Sequence, residues 1–255
     1  MYNGIITVRS SSTRLKKKCF LIIDNLKIIE HVILRCLYGN INPIICTSKN
    51  IEDKRLVKIA KKYGIGYFQG SLKNKIKRWH DCVIKKNIKF FHTIDADDPY
   101  FDYNAVRESL DLLKNKKLDL VKPSKASRYG GASEGYSFSQ KGIIKLYKSL
   151  QQYKSKKKVD LLDTEMIDGY LDNSNLNYKN YKGKKYQIKK NIRLTLDYKE
   201  DFKVMKILFE KFGFFTSREE INKFLKKNKK ILKINYFRNN SWNKKQKTFV
   251  MPGLR

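Results

Sequence analysis

Three segments of the chain collect the side chains that phosphoryl chemistry uses. The first is Arg9-Ser10-Ser11-Ser12-Thr13-Arg14-Leu15-Lys16-Lys17-Lys18, directly after a β-branched run, Gly4–Val8. Small hydroxylic residues after a strand let backbone amides and hydroxyls approach phosphate oxygens closely. Arg14 and Lys18 would supply cations against charge growing on phosphorus and on departing pyrophosphate. This is not a Walker A loop, because its glycines and its GK[ST] ending are missing. A solvated basic loop is the plainer alternative.

The second segment is Asp95-Ala96-Asp97-Asp98-Pro99, after the apolar run Phe90–Ile94. Carboxylates at the end of a strand suit Mg²⁺, which takes one or two of them and completes its shell with phosphate oxygens and water. Aspartates also cap helices, which is the competing explanation. Pro99 favours an extended backbone at Asp98 and can turn that carboxylate away, so Asp97 is the favoured ligand. The third segment is Leu194-Thr195-Leu196-Asp197-Tyr198-Lys199-Glu200-Asp201. Asp197 is expected at a strand end, with Glu200 and Asp201 in the first turn of a helix. Taken alone this is a helix cap followed by acids that favour the helix dipole. It becomes a metal ligand only if the fold carries Asp197 to Asp97.

The elements that must position these groups alternate through the first half. Gly4–Val8, Pro43–Thr47, Gly66–Gln69 and Phe90–Ile94 read as strands. Leu26–Leu37, Leu56–Tyr63 and Ile76–Lys86 show apolar residues at helical spacing. Such alternation with short loops predicts a doubly wound, mainly parallel α/β sheet, whose ligands bind beyond the carboxyl ends of the strands. Both the Arg9 loop and the acidic run fall at such ends. Farther on, Leu118–Val121, Tyr136–Phe138 and Leu194–Asp197 are expected as strands. Lys141–Tyr153, Tyr198–Phe212 and Arg218–Lys226 are expected as helices, with Lys154–Lys158 as a solvated basic run.

Composition sets the outer limits. With 255 residues, 41% hydrophobic and 13% aromatic, the chain can build the core of one domain. No apolar run approaches the roughly 20 residues of a membrane helix. The opening apolar run, without a basic leader, gives the expectation of a cytoplasmic protein. Cys19, Cys36, Cys46 and Cys82 are scattered without CxxC spacing and read as reduced structural thiols. The formal net charge of +33 would draw polyanions such as a nucleoside triphosphate. Lysine, spread along the chain, carries most of it. A nucleic-acid binder would instead concentrate arginine and aromatics on one face, so no specific nucleic-acid partner is expected.

Together the segments resemble the cytidylyltransferases that activate acylneuraminate and 3-deoxy-manno-octulosonate (KDO), most closely their spore-coat-polysaccharide-type branch. Arg9, Ser12, Arg14, Leu15 and Lys18 match that branch's A-R-x-x-S-x-R-L-x-x-K, with Val8 for the alanine and Lys16-Lys17 where P-G is usual. Ile29-Glu30-His31-Val32 matches its I-E-H-V helix. Cys46-Thr47-Ser48 with Asp53 resembles its A-T-S…D segment. Gly70-Ser71 and Arg78-Trp79 resemble G-S…D-V-L-x-R-Y, with Asn74 where Asp is common. Asp97-Asp98-Pro99 matches D-x-P, Glu134 resembles the glutamate of G-x-x-x-E-x-F-S, and Arg193 through Asp201 matches R-L-T-x-D-x-x-E-D.

The resemblance covers about residues 3–212. It implies a Rossmann-like nucleotidyltransferase fold, one domain over 1–255, with 125–190 as an acceptor and dimerisation insertion and 213–255 as an extension outside the match. It implies CMP transfer from CTP to a sugar acid, a ulosonic acid such as KDO or a sialic-acid-like sugar, for surface polysaccharide. A sugar phosphate, alditol phosphate or phosphonate is the alternative acceptor. The nucleotide would meet Arg9, Ser10, Ser11, Ser12, Arg14, Lys18, Thr47, Ser48 and Arg78. Glu134 would border the acceptor, Asp97 and Asp197 would hold Mg²⁺, Arg14 and Lys18 would be catalytic, and the protein would be a homodimer.

Overall fold

The computed structural model describes residues 1–11, 14–124, 132, 134–157, 164, 167–184, 186 and 192–241. In chain order the strands are β1 (Tyr2–Thr7), β2 (Ile22–Ile23), β3 (Leu26–Lys27), β4 (Ile41–Ser48), β5 (Gly66–Gly70), β6 (Phe90–Asp95), β7 (Leu120–Lys122), β8 (Ser137–Ser139) and β9 (Tyr178–Asn180). The helices are α1 (Ile28–Tyr38), α2 (Lys54–Lys62), α3 (Lys75–Lys85), α4 (Tyr103–Asn115), α5 (Gln140–Lys157), α6 (Asp168–Asp172), α7 (Lys199–Phe212), α8 (Arg218–Lys227) and α9 (Lys229–Asn235).

Seven strands form one sheet in the order β5-β4-β1-β6-β8-β7-β9. β5, β4, β1 and β6 are parallel, and β8 runs antiparallel to both of its neighbours. The expected doubly wound, mainly parallel α/β sheet is therefore present. The two faces of β1 show how it is covered. Ile6 packs with Val32, Ile33, Leu56 and Val106 from α1, α2 and α4. Its neighbour Ile5 points the other way, into Ile76, Trp79 and Leu146 from α3 and α5. Successive strand residues face opposite sides, so a continuous apolar run fits a strand buried on both faces. A third apolar cluster joins Tyr100, Leu194 and Leu196 to α7 and α8 through Val204, Leu208, Ile221 and Leu225.

Several sequence expectations shift. The helix expected from Leu26 begins at Ile28, because Leu26–Lys27 pairs antiparallel with Ile22–Ile23. Asp24 and Asn25 make that turn with φ of 48° and 60°, the pair of positive values a type I′ hairpin needs. The helix expected to end at Tyr153 runs on to Lys157 as the last part of α5. β9, α4, α6 and α9 were not expected. Leu194–Asp197 is extended but joins no sheet, since the Leu196 amide donates to the carbonyl of Asp97 at 2.7 Å. Gly135 has φ +61°, and a Cβ there would sit 1.9 Å from the carbonyl oxygen of Thr93. Only glycine lets the chain approach β6 this closely.

Among the described residues, no helix is long and apolar enough to cross a membrane. All four cysteines are free and buried.

Candidate active site

β1 and β6 are adjacent and parallel, so the Arg9 loop and the acidic run leave the same edge of the sheet. Ala96 donates its amide to the carbonyl of Thr7 at 3.2 Å, which fixes the two exits side by side. The third segment is brought to them by the Leu196–Asp97 backbone bond. The result is one cluster. Lys18 Nζ lies 2.5 Å from Asp97 Oδ2 and 2.8 Å from Asp197 Oδ1. Arg14 Nη2 donates to the same Asp197 oxygen at 2.6 Å. Residues 100 positions apart in sequence thus share one cation.

Burial and charge act against each other here. Withdrawal from water alone would raise the Asp197 carboxyl, whose side chain is 2% exposed. The charges of Lys18 and Arg14 outweigh burial and hold it below its ordinary value. Burial would likewise lower Lys18, but Asp97 and Asp197 hold the ammonium well above its usual range. The same balance keeps Arg14 raised, burial being overcome by Asp197. Asp197, Lys18 and Arg14 are therefore charged near neutral pH.

Asp197 is held from behind. Asp201, fully buried, accepts from Arg193 Nε at 2.8 Å and Arg193 Nη2 at 3.0 Å. It also accepts the amides of Asp197 and Tyr198, each at 2.9 Å, and Asn235 Nδ2 at 3.0 Å. The Arg-x-x-x-Asp-x-x-x-Asp spacing is what lets a carboxylate in the first turn of α7 fix both the arginine and the end of the segment before it.

The loop's opening is held by another carboxylate. Asp53 accepts the Ser10 amide at 2.7 Å and the Ser48 hydroxyl at 2.5 Å. Burial would raise Asp53, but the hydrogen bonds from Ser10 and Ser48 lower it. Thr47 and Ser48, expected beside the nucleotide, are fully buried at the end of β4, where Ser48 bonds Asp53 and Thr47 Oγ1 makes no hydrogen bond. Arg78 is also buried, donating to the carbonyls of Ser71 at 2.6 Å and Leu72 at 3.2 Å. Arg9 donates to Leu72 as well, at 3.1 Å. Both arginines thus brace the 71–72 turn beside the loop. Ser11 is exposed, and Ser12 lies outside the described residues.

Glu134 belongs to a neighbouring group of charges. Its carboxylate accepts the Ser124 amide at 2.9 Å, and burial holds its pKa up against that bond. Its carbonyl lies 2.5 Å from His92 Nε2, while Ser137 Oγ is 2.8 Å from His92 Nδ1. Burial lowers Arg218 of α8, and the charges of Asp102, Glu134 and Asp98 oppose that shift. Asp97 pairs with Lys18, whereas Asp98 is buried and its charge is among those that oppose the lowering of Arg218.

Sequence reasoning left Asp53 and Arg218 out of the site. The C-T-S…D pattern carried a signal for Asp53, but nothing local marked Arg218. Its role depends on α8 returning to the loop after β6, where Arg218 donates to the carbonyl of Tyr100 at 3.1 Å.

The donor set suits Mg²⁺. Two carboxylate oxygens already converge on one cation, and among the described residues no group of three or more His, Cys, Asp and Glu side chains could hold a metal. An ion here would complete its shell with substrate oxygens and water, as Mg²⁺ does and a protein-caged ion does not.

No protein-family model matches the chain. It is 27% identical over 237 residues to an uncharacterized protein of Methanocaldococcus jannaschii, covering 91% of this chain and 93% of that one. It is 26% identical over 125 residues to a 3-deoxy-manno-octulosonate cytidylyltransferase of Rickettsia canadensis, a match spanning 47% of this chain and 50% of the relative. A cytidylyltransferase structure from Leptospira borgpetersenii superposes with a TM-score of 0.74 at 21% identity, covering 91% of this chain and 96% of that one. A CMP:2-keto-3-deoxy-manno-octonic acid synthetase complexed with CTP superposes with a TM-score of 0.59 at 12% identity, covering 82% and 98%. The chain has the α/β nucleotidyltransferase fold, and in sequence and fold it is similar to cytidylyltransferases.

Proposed function

We propose that this protein is a cytidylyltransferase that moves CMP from CTP to a sugar acid, a ulosonic acid such as KDO or a sialic-acid-like sugar, and releases pyrophosphate. One observation carries the reading: Asp97 and Asp197 converge with Lys18 and Arg14 at the carboxyl edge of the sheet. The likeness to a KDO cytidylyltransferase supports the nucleotide and the acceptor class. The solved synthetase complexed with CTP supports the same pair.

On this reading the triphosphate lies over residues 10–18, whose opening is fixed by Asp53 beneath Ser10. Asp97 and Asp197 would hold Mg²⁺, which when bound supplies neutralising charge to the phosphates. The acceptor oxygen forms a bond to the α-phosphorus, its proton passes to solvent, and the bond to the bridging oxygen of pyrophosphate breaks. Lys18 and Arg14 meet the charge that accumulates on the leaving group. Before the nucleotide arrives, their partners Asp97 and Asp197 keep both cations protonated and in place. Positioning and electrostatics suffice, so no covalent intermediate on the protein is needed. Glu134 and the adjoining Arg218 would border the acceptor. Cytoplasmic location, homodimer assembly and a role in surface polysaccharide synthesis are part of the same proposal.

The test is pyrophosphate release from each of the four nucleoside triphosphates against a panel of ulosonic acids, sugar phosphates, alditol phosphates and phosphonates. Release with CTP and a ulosonic acid, dependent on Mg²⁺ and abolished in Asp97→Ala, is the expected result. Release with a sugar or alditol phosphate alone would move the acceptor class while keeping the chemistry. Release that survives Asp97→Ala would sink the assignment of the metal pair.

A further inference from the structure

The four charged groups of the site cancel one another. Lys18 and Arg14 contribute two positive charges, and Asp97 and Asp197 contribute two negative ones. Every one of the four is engaged inside the cluster at 2.5–2.8 Å. Lys18 Nζ sits between the two carboxylates, in the place a shared divalent cation would take. Behind Asp197, Arg193 and Asp201 neutralise each other through two hydrogen bonds. These six groups, three cations and three carboxylates, therefore balance one another before any ligand arrives.

A bare divalent cation gains little from such a site. To reach both carboxylates it must expel the Lys18 ammonium, which leaves two protein cations beside the metal with no anion to meet them. Like charges crowded at this range repel strongly where water is excluded. A metal–triphosphate complex changes the balance. Its phosphate oxygens offer Lys18 and Arg14 new partners at the moment the carboxylates pass to the metal, so every charge stays matched.

Building on the assignment of Asp97 and Asp197 as the metal pair, we propose that Lys18 closes that pair to free divalent ions, so that the metal enters only together with a nucleoside triphosphate. Lys18 exchanges carboxylates for phosphates in that step. The side chain that neutralises the leaving group is thus also the one that keeps the empty site from trapping a cation in a non-productive state.

The experiment is Mn²⁺ titration of the full chain, followed by the paramagnetic resonance of free Mn²⁺. Three proteins are compared: wild type, Lys18→Met, and Lys18→Met combined with Asp97→Asn. Without nucleotide, Lys18→Met should take up one Mn²⁺ at least tenfold more tightly than wild type, and Asp97→Asn should abolish that gain. Adding a triphosphate should tighten Mn²⁺ binding to wild type by tenfold or more. Lys18→Gln repeats the test where Lys18→Met fails to fold. Lys18→Arg, which keeps the charge, should stay at the wild-type level. Equal affinity of wild type and Lys18→Met for bare Mn²⁺ would overturn the proposal, as would a gain that survives Asp97→Asn. No tightening by any triphosphate would overturn it too. Tightening by ATP or GTP but not by CTP would leave it standing while refuting the cytidylyl reading, so the two fail separately.

Discussion

Asp201→Asn tests whether the site is built from behind. The substitution keeps the shape of the side chain and one acceptor oxygen, but it removes the charge. Five donors now converge on the two Asp201 oxygens: two from Arg193, the amides of Asp197 and Tyr198, and the amide group of Asn235. In asparagine one of these positions becomes an NH₂ group, which meets at least two of the donors head-on. The Arg193 side chain is fully buried and would be left with only the more distant Asp197, at 3.6 Å, as counter-ion. Breaking a buried pair by removing one partner costs about 3–5 kcal/mol. That is a large part of the roughly 5–15 kcal/mol by which domains are stable. Urea unfolding at neutral pH, read by circular dichroism, should show a loss of that size. Arg193→Met/Asp201→Asn should lose less than the sum of its single variants, because removing both charges relieves the uncompensated one. Pyrophosphate release should fall in Asp201→Asn even at temperatures where the variant is folded, since the Asp197 amide has lost its anchor. A loss under about 1 kcal/mol, or strict additivity in the cycle, would refute the claim that this pair sets the position of Asp197.

Asp53→Asn should act on the nucleotide and not on the chemistry. It weakens the charged bonds to the Ser10 amide and the Ser48 hydroxyl, each about 1.5–3 kcal/mol, and should raise KM for CTP roughly tenfold with a smaller change in kcat. An unchanged KM would mean that Asp53 does not order the loop. His92 gives a pH test. Burial lowers it to about 4, against about 6.5 when unfolded, so the unfolded chain binds the extra proton first as pH falls. Its contribution is intact above the unfolded value and is lost as pH drops toward 4. Between pH 7.5 and 5 this removes about 2 kcal/mol of stability, and His92→Gln should flatten that part of the profile. An equally steep profile in the variant would assign the loss to other groups.

The parts of the fold that were legible were those with strong local signals. β1, β4 and β6 are apolar runs buried on both sides, β5 is a half-buried edge strand, and all four, bounded by loops or helices of clear periodicity, appear within a residue or two of their expected places. Asp97, Asp197, Arg14 and Lys18 stood out through charge placed after apolar runs. Of the elements that went unread, β9 depends on a partner distant in sequence, and the β2–β3 hairpin lacks its usual local mark. β9 is three exposed residues that pair with β7. The Asp24-Asn25 hairpin carries no glycine, the usual mark of its turn type. Arg78, Thr47 and Ser48 were expected to meet the nucleotide directly. They are buried and face neighbouring backbone and Asp53, and residue type alone does not show which way a polar side chain turns.

The competition between capping and catalysis resolves differently from how the local sequence frames it. Asp197 stands just before α7, where an aspartate ordinarily serves the helix amides, and the Asp97-Asp98 pair stands shortly before α4. In both places another carboxylate has taken the capping role. Asp201, four residues along, accepts the Tyr198 amide at the start of α7. Asp102 accepts the amides of Asn104 and Ala105 at the start of α4. Asp197 and Asp97 are left with no helix to serve, and both carboxylates turn to Lys18. An acid-rich helix start whose cap is already supplied by another carboxylate therefore has one to spare. At this edge of the sheet the two spare carboxylates, one from each helix, form the pair on which the proposed chemistry depends.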